Sequence, residues 1–97
     1  MPIKIKPSIT IKTDEPKMYL ISILSDNYIS SDFCLRALVG VFHKSIEQAN
    51  AITHEIKSNG EGICGAYIFE IAETKAVIVE KQAKREGFSI RCLIEEV

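Results

Sequence analysis

Between residues 45 and 60 the chain spells out both ends of one helix, and that bracket constrains everything around it. Ser45-Ile46-Glu47-Gln48 has the form of a capping box. In such a box the serine hydroxyl accepts from the backbone N–H three residues on, and the glutamine reaches back to the serine N–H. Asn59-Gly60 supplies the left-handed stop. Ile46, Ala49, Ile52 and Ile56 form one apolar stripe between them at helical spacing. A helix with a single apolar stripe must bury it against a second layer.

The flanking segments supply that layer. Tyr19-Leu20-Ile21-Ser22-Ile23-Leu24 is a β-branched and aromatic run that predicts a strand, followed by turn formers at Ser25-Asp26-Asn27-Tyr28. Ser30, Ser31 or Asp32 can cap a helix carrying Leu35, Leu38, Val41 and Phe42. A second strand is predicted from Ile63 to Phe69. A third helix starts near Glu70, with Glu73 early, Lys81, Lys84 and Arg85 late, and Gly87 as its stop. Phe88 to Ile94 is the last strand. The order is β-α-α-β-α-β, an α+β fold with three helices on a three-stranded antiparallel sheet. Residues 18–97 form this core domain.

Residues 1–17 differ. Pro2, Pro7 and Pro16 all fall here, and Lys4, Lys6, Lys12 and Lys17 against Asp14 and Glu15 give a net +2. Ile3-Lys4-Ile5-Lys6 alternates, which leaves an edge strand open, but the prolines and interleaved lysines favour a flexible, extended arm. The whole chain, 97 residues with a net charge of −1, lacks the basic excess usual in nucleic-acid binders. No apolar run approaches the roughly 18 residues of a membrane span, and no early stretch resembles a signal peptide, so the expectation is a cytoplasmic monomer. Cys34, Cys64 and Cys92 are odd in number and show no CxxC spacing, so they read as reduced thiols in a core, with no metal site.

Catalysis finds no support in the residues. His43 and His54 lie in no motif with a cysteine or serine, and read as solvated helix-surface groups. Gly60-Glu61-Gly62-Ile63-Cys64-Gly65 runs from a helix end into a strand, the reverse of a phosphate loop. No catalytic residue and no cofactor is expected. Two charges on the third helix are more suggestive. Glu70 and Lys75 have no opposite charge three or four positions away on that helix. They are either ordinary solvated charges or a pair available to a partner protein.

Met18-Tyr19 through Leu24-Ser25-Asp26-Asn27-Tyr28, then Phe33, Phe42, Gly60, Ile63-Cys64-Gly65 and above all Glu70-Ile71-Ala72-Glu73-Thr74-Lys75 resemble the ClpS family, adaptors of the bacterial Clp (AAA+) proteases. The resemblance runs without gaps from Met18 to about Glu95. It implies an α+β adaptor that binds the N-terminal domain of a ClpA- or ClpC-type unfoldase and delivers substrates with a bulky apolar N-terminal residue, an N-degron. It also implies docking through Glu70 and Lys75, and a role for the N-terminal extension at the unfoldase pore.

The substrate site departs from the family pattern. Family members bind the substrate ammonium with an Asn-Asp pair after the first strand and a His late in the second helix. The matching residues here are Ser25, Asp26 and Lys57, with Asn27 adjacent. Asp26 can accept a charge-assisted hydrogen bond. Lys57 puts a cation where another should dock. At ~6 Å and an effective dielectric near 20 the repulsion is about 3 kcal/mol. A lost charged hydrogen bond adds roughly 1.5–3 kcal/mol. Asp26 and Lys57 could also pair with each other, closing the site to an ammonium. The side-chain pocket is expected from Ile29, Ser31, Thr53, Ile56 and Ile90. Two roles follow: an adaptor with altered or restricted N-degron specificity, or a regulatory Clp-binding protein that carries no degron.

Overall fold

A computed structural model describes residues 16–26 and 28–97. The expected arm at 1–17 therefore lies outside the described residues except for Pro16 and Lys17. The elements run β1 (Met18–Leu24), α1 (Ser31–Gly40), α2 (Ile46–Asn59), β2 (Glu61–Ile68), α3 (Phe69–Arg85) and β3 (Arg91–Glu96). The sheet is antiparallel in the order β2-β1-β3, with β1 in the centre. The fold is the α+β arrangement expected from the sequence.

Local chemistry accounts for the ends. The Ser30 hydroxyl accepts from the Phe33 N–H and caps α1. At α2 both halves of the capping box form: Ser45 Oγ accepts from the Gln48 N–H, and the Ser45 N–H donates to Gln48 Oε1. Gly60 ends α2 at φ 80°, a conformation costly for any residue with a Cβ. Two residues on, Gly62 is required by proximity, because a Cβ there would come 2.7 Å from Ile56 Cγ1.

At the centre of the sheet, Ile21 and Ile23 of β1 are fully buried in the core, and Ser22 between them is buried as well. α3 faces the sheet with Ala72, Ala76, Val79 and Ala83, small side chains that let helix and sheet approach closely. α1 contributes Phe33, Cys34, Ala37 and Leu38, and α2 contributes Ala49, Thr53 and Ile56. All three thiols are free, with Cys34 and Cys64 buried and Cys92 half-buried. Burial pushes the Cys64 and Cys92 thiols up to about 12.

Three expectations need correction. Leu38 and Phe42 lie in the core and Leu35 and Val41 pack against it, but only Leu35 and Leu38 belong to α1, because the helix stops at Gly40. Val41 is its cap, and the chain turns away through His43 at φ 56°. Ile46, the first residue of α2, lies exposed outside that helix's buried stripe. The last strand starts at Arg91 instead of Phe88. Arg91 pairs with Leu24, the last residue of β1, so residues 88–90 have no strand to pair with.

Candidate functional site

Two hollows contain some of the residues singled out by the sequence: Ser25, Asp26, Ile29, Ile56 and Lys57 line one, and Lys75 lines the other. The first, about 240 Å³, opens where β1 ends and α2 stops. The Ser25 N–H donates to the Gly60 carbonyl at 2.8 Å, which ties the strand end to the helix cap. Ser25, Asp26, Ile29, Ile56 and Lys57 line this hollow together with Tyr28 and Gly60. Asp26 is exposed, whereas Ile29 and Ile56 are only 3% and 1% exposed. The apolar wall is thus largely packed into the core.

Lys57 is anchored at this rim. Its Nζ donates to the Ile29 carbonyl at 2.8 Å and lies 5.0 Å from the centre of the Tyr28 ring. The ring in turn packs on Phe88, with centroids 6.2 Å apart, and Phe88 packs on Phe33 at 5.5 Å. The ammonium is held by a carbonyl dipole and an aromatic face. Among the described residues Asp26 and Lys57 form no ion pair. The Lys57 charge is felt beneath the rim as well. Burial raises the Cys34 thiol, and Lys57 offsets only part of that rise.

The structure brings only part of the expected side-chain pocket to this hollow. Ser31 is exposed as the first residue of α1, and Ile90 lines a different hollow beside Phe88. Thr53 lies one turn before Lys57 on α2, 6% exposed, with no hydrogen-bond partner for its Oγ1 among the described residues. Asn27 lies outside the described residues. Tyr28 and Gly60 were not anticipated as lining residues. The turn composition at 25–28 and the Asn59-Gly60 stop marked where the chain reverses, but not that the two turns meet.

The second hollow, about 440 Å³, runs between α3 and the end of α1. Ile71, Thr74, Lys75, Ile78 and Gln82 form the α3 side, and Gly40, Val41 and His43 the other. Lys75 has a partner after all: its Nζ donates to the Val41 carbonyl at 2.6 Å and lies 5.1 Å from the Tyr67 ring centre. The Tyr67 hydroxyl donates to the Phe42 carbonyl beside it. Both bonds answer carbonyls left open past the end of α1. Glu70 is exposed and makes no ion pair among the described residues. Ile71, Val77 and Ile78 on α3 are exposed despite their size. They extend an apolar strip next to the two charges.

Residues 14–93 match the family model described as "ATP-dependent Clp protease adaptor protein ClpS". That match spans most of the chain. It belongs to the ClpS family. The ATP-dependent Clp protease adapter protein ClpS of Nitratidesulfovibrio vulgaris (strain DP4) is 48% identical over 82 residues, covering 84% of this chain and 79% of the relative. The ClpS of Helicobacter hepaticus (strain ATCC 51449 / 3B1) is 43% identical over 84 residues, covering 87% and 85%. Among solved structures, Agrobacterium tumefaciens ClpS2 bound to L-phenylalaninamide superposes with a TM-score of 0.77 at 26% identity, covering 86% of this chain and 100% of that one. The chain is therefore a ClpS-type adaptor of an ATP-dependent Clp protease, with a cationic Lys57 at the rim of its first hollow. No helix among the described residues is long and apolar enough to cross a membrane.

Proposed function

We propose that this ClpS-family chain is a cytoplasmic, monomeric adaptor that docks on the N-terminal domain of a ClpA- or ClpC-type unfoldase and presents N-terminal residues of an altered class for proteolysis. Docking uses the α3 surface, where exposed Glu70 lies with Ile71 and Ile78 near the half-buried Lys75. The first hollow holds the terminal residue. Asp26 faces its polar end, Ile29 and Ile56 line its apolar side, and Ser31, Thr53 and Ile90 shape the surroundings. Ser25 and Asn27 flank Asp26. The observation that carries the proposal is the convergence of Ser25 and Asp26, from the turn after β1, and Lys57, from α2, on one cavity. The Agrobacterium ClpS2 that superposes on this chain was solved with L-phenylalaninamide, a ligand with a free amine and an apolar side chain. Residues 1–17 serve as the extension engaged by the unfoldase.

An alternative role, a Clp-binding regulator that carries no degron, is favoured by the anchored Lys57 and the packed Ile29 and Ile56. A degradation assay separates the two. Reporter peptides with an apolar residue at the N-terminus, or the same residue placed internally, are given to the unfoldase and its peptidase. Faster loss of the terminal form in the presence of this chain, abolished by Asp26→Ala, supports delivery. Equal loss of both forms, unchanged by Asp26→Ala, rejects it.

A further inference from the structure

The first hollow displays one charge of each sign, and the two form no ion pair among the described residues. Lys57 Nζ is pinned to the Ile29 carbonyl at 2.8 Å and sits over Tyr28 at 5.0 Å, so its position is set by the fold. An ammonium has three donors, and the Ile29 bond uses one. Asp26 lines the same cavity, exposed and in no ion pair among the described residues. A ligand ammonium entering this space gains attraction from Asp26 and meets repulsion from Lys57. The cation that a free N-terminus would bring is already supplied by the chain.

A secondary amide suits such a pair better. It carries a donor and an acceptor on opposite sides and no net charge to strip of water. Its N–H can donate to Asp26 while its carbonyl accepts from Lys57, both as charge-assisted hydrogen bonds. The cavity, about 240 Å³, lies below the roughly 300–1,000 Å³ of drug-sized sites, which suits a single capped residue over a longer ligand. We propose that the hollow takes an N-terminal residue whose amine is acylated, with formyl or acetyl as the cap, in preference to a free ammonium. This deepens the degron role above and rests on the hollow being the terminal-residue site.

The test uses the full chain and fluorescent peptides beginning with Met, Leu or Phe. Each is made with a free, formylated or acetylated amine, and as a control with the same residue placed internally. The capped forms are expected to bind at least tenfold more tightly than the free amine, and Lys57→His should reverse that order. A free amine binding as well as or better than its capped form overturns the acyl preference and leaves the terminal-residue role standing. Capped and free forms binding no better than the internal control overturn both.

Discussion

Lys75 Nζ on α3 lies 2.6 Å from the main-chain carbonyl of Val41, the residue that caps α1. One of the two charges expected to grip an unfoldase is thus also a strut inside the molecule. It closes a helix end that would otherwise leave a carbonyl unanswered. Glu70 has no such duty, because its carboxylate makes no ion pair among the described residues.

The two positions should therefore separate in stability. Removing a charged donor from a part-buried carbonyl costs roughly 1.5–3 kcal/mol, toward the lower end for a half-exposed group. Lys75→Met should lower the unfolding free energy in urea by about that amount. Glu70→Gln should change it by less than about 0.5 kcal/mol, as for an ordinary surface substitution. Equal losses would show that Lys75 does not hold the end of α1.

Thr53 makes a second stability test. Its Oγ1 is buried without a partner among the described residues, and an unsatisfied buried hydroxyl costs about 1–3 kcal/mol. Thr53→Val keeps the shape and the β-branch, and should raise the urea midpoint at an unchanged slope. A lower midpoint would mean that the hydroxyl is bonded in solution.

The element order was legible because each end carries its own chemistry, as at Ser45, Gln48 and Gly60. The strand and helix limits that slipped did so for tertiary reasons. Residues 88–90 read as strand, yet β1 is too short to pair with them. Asp26 and Lys57 were traceable to one site through the family resemblance. That Lys57 would settle on Ile29 and Tyr28 was not, because such contacts depend on where a loop 28 residues away comes to rest. The partner of Lys75 was missed for the same reason. Spacing rules search only the residue's own helix, and Val41 belongs to another element.

Acid should weaken the link between α1 and the end of α3. Arg36 donates to both oxygens of Glu86, at 2.9 and 2.8 Å. The Arg36 guanidinium holds the Glu86 carboxyl below the usual carboxylate range, chiefly through this hydrogen bonding. A carboxyl with a lowered folded pKa stabilises the fold above its unfolded value, near 4.3, and that contribution is lost as pH falls through the folded value. Thermal melts should show wild type losing its advantage over Glu86→Gln as pH drops below about 4. A gap that stays constant down to pH 2 would contradict the link.

The thiols should be inert in the native state. Cys64 and Cys92 are pushed up to about 12 by burial, so they stay protonated while unfolded thiols ionise near 8.5. Because the folded state then holds more protons, stability should fall as pH rises from about 8.5 toward 12. At pH 8 a disulfide reagent should label native protein slowly and urea-unfolded protein at once. Rapid native labelling of Cys64 would contradict the burial.

The most direct measurement of the adaptor role is calorimetric titration of a purified ClpA or ClpC N-terminal domain with wild-type chain and with Glu70→Lys. The substitution reverses an exposed charge and leaves the core packing untouched. At least a tenfold loss of affinity with an unchanged melting temperature is the result expected if α3 is the docking surface. Identical affinities for the two proteins, or no binding by wild type, would contradict it.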